Sequence, residues 1–281
     1  MKYDDHDRVL AADLQKMVSG MVERRHLLGW LAVAGAAAVA GCGSSIAPRT
    51  GGGDVDRSSG AGSTGGSTSA GKGSCSTTPE ESPGPMPGDG TNGQNALTLT
   101  GIVRSDITSS IGGASGVAKG VPLTLTLKIV NAKGNCAPLA GYAVYVWHCD
   151  RDGNYSMYSD AVANENYLRG VQETNADGSV TFKTIFPACY QERWPHIHFE
   201  VYRSLDSAKH GSRSVLTSNL ALPKDTCDMV FATSGYSESA SNLSVRSLET
   251  DPVFGDGVTL QLARTGGSVA GGITAELTVA V

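Results

Sequence analysis

Charge is scarce in this chain. Asp, Glu, Lys and Arg make up 17 % of its 281 residues, the net charge is −5, and no basic block lies beyond the N-terminus. Nucleic acid is thereby excluded as a partner, since phosphate binding needs a clustered positive face. No long segment beyond residue 42 carries apolar residues at helical spacing, so helices do not organise the fold. The extended apolar run, Leu27 to Ala40, is too short for a comfortable transmembrane helix. No internal repeat is present. Aromatic residues reach only 6 %, which makes the grouping of Tyr142, Tyr145, Trp147, Tyr155 and Tyr158 notable, although a buried β-core accounts for most of it.

What the chain does have comes in three textures. Arg24-Arg25, a short apolar core and the small residues Val39-Ala40-Gly41 before Cys42 make an export signal. The paired arginines resemble a twin-arginine signal, and the ending resembles a lipoprotein cleavage site with Cys42 as the lipid-bearing residue. Residues 1–42 are therefore expected to be an address and the mature protein exported, as a cell-envelope lipoprotein or a periplasmic or extracellular protein. Any membrane contact would run through a lipid on Cys42 alone. Residues 43–74 are dominated by Gly, Ser and Thr and cannot bury enough apolar surface to fold, which predicts a flexible tether.

Residues 75–281 form the third texture, one domain that starts with a Pro- and Gly-containing lead-in. From Ala96 onward, short alternating or apolar runs are separated by turn signals: Asp152-Gly153, Asp177-Gly178, Asp256-Gly257 and Gly271-Gly272. The runs predict strands at 97–103, 121–130, 143–149, 167–173, 180–185, 196–202, 215–220, 258–263 and 273–279. The expected fold class is all-β, an antiparallel β-sandwich.

In the run Pro195-His196-Ile197-His198-Phe199, the two histidines sit two apart on a predicted strand. They share one face and can offer two imidazoles to one ion. Alone, such a pair is as readily incidental as functional. Tyr190 and Arg193 just upstream, and Tyr155 after the Asp152-Gly153 turn, enlarge it to two tyrosines, two histidines and an arginine. His148 lies in an apolar strand and reads as a hydrogen-bonded structural residue. Trp147 reads as core, and His6, His26 and His210 as incidental.

Three segments in order resemble the intradiol ring-cleavage dioxygenases: Val146-Trp147-His148-Cys149-Asp150 running to Tyr155-Ser156; Leu168-Arg169-Gly170 running to Asp177-Gly178; and Thr184-Ile185-Phe186-Pro187 running through Tyr190 and Arg193 to His198-Phe199. The resemblance is close from about Cys136 to Tyr202. It implies a non-haem Fe(III) held by Tyr155, Tyr190, His196 and His198, with Arg193 and Tyr190 as catalytic residues. Arg193 would stabilise charge on the bound catecholate, and Tyr190, displaced by substrate, would act as a base. A small aromatic diol and O2 would be the substrates, and a cis,cis-muconate-type diacid the product. Phenolate at neutral pH needs a strong positive partner, since a free tyrosine titrates near ~10, and Fe(III) is such a partner.

Two other readings stay open at this point. One is a non-catalytic, surface-anchored β-sandwich binding module; the other is zinc or copper on the same ligands. With Cys42 lipidated, five cysteines remain (Cys75, Cys136, Cys149, Cys189 and Cys227), enough for at most two disulfides and one leftover thiol. In the lead-in, Met86 stands where relatives often carry an aromatic pair, which bears on substrate preference if that segment covers the site.

Overall fold

The computed structural model describes residues 75–190 and 192–281; the expected signal and tether fall outside the described residues. Among the described residues nine strands make two sheets: β1 Pro122–Asn131, β2 Ala137–Pro138, β3 Ala143–Trp147, β4 Arg169–Glu173, β5 Ser179–Ile185, β6 His196–Tyr202, β7 Leu216–Ala221, β8 Arg264–Ser268 and β9 Gly272–Ala280. In the first sheet β9 pairs with β1 on one side and β8 on the other, while β5 and β2 share the far edge of β1. The second sheet runs β4-β3-β6-β7. Among the described residues no helix is long and apolar enough to cross a membrane.

The all-β class stands, with one correction: the first sheet is mixed. β9 lies parallel to β1, with Leu125 opposite Ala275. The expected strand at 97–103 is a series of turns. Its apolar residues Leu97 and Ile102 are buried, as the alternation implied, but only Val103 bridges to another strand, at Val171. The expected strand at 258–263 is also a turn, and the real partner of β9 is the exposed run Arg264–Ser268, which carries no apolar signal. Three α-helices among the described residues were not anticipated: α1 Leu205–Lys209, α2 Lys224–Phe231 and α3 Ser237–Leu243. At five to eight residues each, they are too short to display a full helical stripe.

β1 shows why a sandwich forms. Leu123, Leu125, Leu127 and Ile129 point inward while Thr124 and Lys128 face solvent. The inward row meets Val144, Val146, Ile197, Phe199 and Val201 of the second sheet in one core. That second sheet is buried on both faces. The residues of β6 that alternate with its core row are His196, His198, Glu200 and Tyr202, all buried. They share the outer face with Tyr145 and Trp147, where a second apolar layer, including Met86, Leu97 and Ile102, covers them.

The lead-in supplies much of that cover. It starts at a disulfide between Cys75 and Cys136. It then passes the end of β9 (Thr78 N–H to Ala280 O, 3.0 Å) and β7 (Glu81 N–H to Thr217 O, 2.8 Å) before crossing the sheet. The bridge closes a loop with a sequence separation of 61 residues. Its removal in a Cys75→Ser, Cys136→Ser double variant is expected to cost about 2–4 kcal/mol, chiefly by freeing the unfolded chain. Urea midpoints with and without the bridge check this. Cys149, Cys189 and Cys227 are buried free thiols, and burial pushes the Cys189 thiol up to about 12.

Candidate metal centre

Two connections and one strand deliver the site. The link from β3 to β4 turns at Asp150, whose carboxylate accepts the N–H groups of Asp152 and Asn154, both at 2.9 Å. Gly153 follows with φ of 86°, and a Cβ there would come within 3.3 Å of Tyr190 Cβ, so this turn needs glycine. Tyr155 leaves the turn and points over the sheet. The link from β5 to β6 carries Tyr190 and Arg193. Strand β6 carries His196 and His198.

Their polar atoms close into a ring. His196 Nε2 and His198 Nε2 are 3.0 Å apart, His198 Nε2 to Tyr155 Oη is 3.3 Å, Tyr155 Oη to Tyr190 Oη is 3.5 Å, and Tyr190 Oη to His196 Nε2 is 3.4 Å. His196 Nδ1–H donates to Trp194 O at 2.6 Å, which fixes the tautomer and turns the Nε2 lone pair toward His198. Two imidazole nitrogens and two phenol oxygens at this spacing suit one shared ion, because donors bound at about 2.0–2.1 Å sit roughly 3 Å from each other. Burial holds both histidines well below their ordinary pKa, with Arg193 adding to the effect. Burial also raises Tyr155 well above an ordinary phenol and Tyr190 to about 12. All four groups are thus neutral without a cation, and no carboxylate belongs to the ring. The hard oxygen donors and imidazoles fit a ferric ion.

Around the ring lie residues that the sequence did not single out as part of a site. Trp147 stacks face to face on His198, with centroids 5.0 Å apart and planes 2° from parallel, and Tyr145 stacks on Trp147. Trp147 is core, as expected, and it also braces a ring member. Asn219 lies directly opposite His198 on β7, fully buried, with neither amide atom hydrogen-bonded. Asp251 accepts from Arg193 Nε at 3.1 Å and Trp194 N–H at 2.6 Å, and its other oxygen accepts from Val253 and Phe254 N–H. Arg193 Nη2 is buried without a hydrogen-bond partner. Burial works against the Arg193 charge, but Tyr190, Asp251 and Tyr155 outweigh it and raise its pKa. No sequence signal pointed to Asp251, which lies 58 residues from Arg193.

His148 is structural, as its apolar strand implied. It bonds Thr184 Oγ1 at 2.7 Å and Cys149 O at 2.8 Å, and burial lowers it to about 4.

Comparisons with known proteins bear on the family and the fold. A family model described as dioxygenase matches residues 105–200. The solved intradiol ring-cleavage dioxygenase of Tetranychus urticae superposes with a TM-score of 0.58 at 25 % identity, covering 73 % of this chain and 94 % of that one. Residues 105–200 thus resemble that family, and the described domain has the fold of an intradiol ring-cleavage dioxygenase. Among curated members of that family, the chlorocatechol 1,2-dioxygenase of Rhodococcus opacus is 41 % identical over 54 residues, covering 19 % of this chain and 21 % of that protein. The catechol 1,2-dioxygenase 1 of Acinetobacter lwoffii is 39 % identical over 54 residues, 19 % of this chain and 17 % of that protein. The chain thus matches about a fifth of the length of these curated relatives.

The buried histidines set an acid limit on the metal-free protein. His148, His196 and His198 are neutral when folded, but take up protons below about 6.5 when unfolded. Stability is therefore lost as pH falls below about 6.5, down to about 4 for His148. Glu200, pushed up to about 7 mainly by burial, acts oppositely: its contribution is present at low pH and lost as pH rises through about 7. Three histidines against one carboxyl leave a net two protons, roughly 2.7 kcal/mol per pH unit at the steepest. Urea midpoints of metal-free protein should fall between pH 7 and pH 5.5, and a flat profile would contradict the buried neutral assignment.

Proposed function

We propose that the protein cleaves the aromatic ring of a catechol-type diol between its two hydroxyl-bearing carbons. It consumes one O2, places both atoms in the product, and yields a cis,cis-muconate-type diacid. The observation that carries this reading is the closed ring of Tyr155 Oη, Tyr190 Oη, His196 Nε2 and His198 Nε2. These four residues would hold a non-haem Fe(III), which when bound supplies Lewis acidity toward the diol and one-electron chemistry between ring and O2.

The chain's own groups do the rest. Tyr155 is fully buried while Tyr190 is half-buried, so Tyr190 is the phenol that an incoming diol reaches. As a phenolate displaced by substrate, it takes the proton from one diol hydroxyl at its own Oη. Arg193 offers the free Nη2–H to negative charge growing on the ring oxygens, and Asp251 holds the guanidinium so that little reorganisation is needed. His196 stays oriented through Trp194 O, and His198 through its stack on Trp147. The second apolar layer keeps bulk water from the reacting ring.

Export belongs to the same proposal. It rests on residues 1–42 of the sequence, and the Cys75–Cys136 disulfide favours an oxidising compartment. Turnover in labelled O2 tests the reaction: two labelled oxygens in an acyclic diacid, one O2 used per diol, support it. Unlabelled product, or a ring opened beside rather than between the hydroxyl carbons, would refute it.

A further inference from the structure

The backbone just before Tyr190 is clasped by a helix from far along the chain. Ser239 and Asn242 of α3 lie three apart and share one helix face. Ser239 Oγ accepts the Cys189 N–H at 3.1 Å, and Asn242 Nδ2–H donates to Cys189 O at 2.8 Å. Both backbone groups of the residue preceding Tyr190 are therefore taken by side chains, and Cys189 O belongs to the peptide that enters Tyr190. Ser239 is 2 % exposed and Cys189 1 %, so water is poorly placed to replace either bond.

Helix α3 is itself fixed. One helical turn before Ser239, Tyr236 donates its hydroxyl to Phe186 O at 2.7 Å and accepts the Val121 N–H at 3.1 Å. Its ring stacks on Phe231, with centroids 5.6 Å apart, and Leu243 at the other end of α3 is buried in the sandwich core. Past Tyr190, Arg193 N–H reaches Tyr190 O at 3.4 Å, and the Arg193 side chain is tied to Asp251. The chain is thus gripped on both sides of Tyr190. The Tyr190 side chain is half-buried, and its phenol meets the centre through Tyr155 and His196. With the backbone held, rotation about the side-chain bonds is the freedom left to this phenol.

We infer that Ser239 and Asn242 are positioning residues for Tyr190: their clasp on Cys189 holds the phenol within reach of the metal and makes its displacement a side-chain rotation instead of a loop movement. This rests on the ring-cleavage reading, in which an incoming diol displaces Tyr190. Loosening the clasp weakens the hold of Tyr190 on the metal, so the diol meets a weaker competitor and binds more tightly. The displaced phenolate is then less well placed to take the diol proton, so binding and turnover move in opposite directions.

The test uses iron-loaded protein under nitrogen, with the visible charge-transfer band recorded before and after catechol. The variants are Asn242→Leu and the double variant Ser239→Ala, Asn242→Leu. Ser241→Ala is the control, since Ser241 is exposed on the same helix and bonds Ser237 O; it should match the parent throughout. Asn242→Leu is expected to keep its iron on Tyr155, His196 and His198, but to show a weaker, shifted resting band, because one of the two phenolates is poorly held. Once catechol is bound Tyr190 is off the metal in every variant, so all the catechol complexes should share the parent's spectrum. The Kd for catechol should fall about threefold to tenfold, and kcat in air should fall about tenfold. The double variant should show both effects more strongly; if it fails to fold, Asn242→Leu carries the test, since Asn242 is half-buried in the last turn of α3. A resting band and catechol affinity equal to the parent's, a catechol complex altered along with the resting protein, or the same effects in Ser241→Ala would overturn the inference and leave the ring-cleavage reading intact. No shift with catechol in the parent would overturn both. A structure of Asn242→Leu gives an independent check: Tyr190 Oη is expected to lie farther from His196 Nε2 than the parent's 3.4 Å, and an unmoved phenol refutes the clasp.

Discussion

His198→Ala is expected to leave a folded protein that loses its iron on desalting, with turnover lowered by at least about three orders of magnitude. Removing a group that merely orients a ligand typically lowers metal affinity or activity by about 10–100-fold, and His198 is proposed as a ligand itself. The fold should survive, because the apolar side of β6 (Ile197, Phe199 and Val201) faces the sandwich core and is untouched. The cavity opens instead against Trp147 and Tyr155. Tyr155→Phe should behave similarly, and more cleanly, since it removes one oxygen from a fully buried ring and little volume. Iron per chain after desalting, measured with turnover of catechol, checks both. A His198→Ala protein with full iron and near-parent turnover would remove β6 from the centre.

The second large effect concerns stability. Arg169 is 1 % exposed, and its hydrogen-bond partners among the described residues include no carboxylate. Its guanidinium donates to Met86 O, Pro87 O, Ser156 O, Ser156 Oγ and Tyr145 Oη at 2.7–3.3 Å, and it lies over the Tyr158 ring. It therefore pins the lead-in and the segment after Tyr155 to the same sheet face. Arg169→Ala strands several buried acceptors at once and is expected to destabilise the protein by about 3–5 kcal/mol. That corresponds to a fall in Tm of roughly 6–20 °C for a domain of this size. Arg169→Lys should rescue little, because an ammonium cannot reproduce the planar fork. Thermal melts of the two variants decide the matter; a loss below about 1 kcal/mol for Arg169→Ala would mean that the lead-in holds without its pin.

Period-two reading succeeded where one strand face is solvent and the other core, as in β1. It also paired His196 with His198, because their shared face follows from strand geometry alone. It was less informative for β7, whose six residues are all buried, so the polar Asn219 facing the site looked like any other position. It misled at 97–103, where alternation marked buried side chains but the backbone turns. Tyr155, Tyr190 and Arg193 were legible through the family resemblance, and the structure brings both tyrosines beside the histidines. Asp251 and Asn242 were not legible as site residues. Each meets the site segments through a contact across more than fifty residues of chain, and neither a buried aspartate nor an asparagine near a helix end carries a local signature of that contact. Three residues beside the site segments, Met157, Leu168 and Glu192, adopt positive φ, which their side chains do not foretell.

The most direct test of the ferric centre is a visible spectrum of the protein loaded with iron, taken under nitrogen before and after catechol is added. A burgundy phenolate-to-ferric band is expected that shifts on catechol binding and is lost or strongly weakened in Tyr155→Phe. A colourless protein carrying stoichiometric zinc, or an iron-loaded protein whose spectrum ignores catechol, would contradict it.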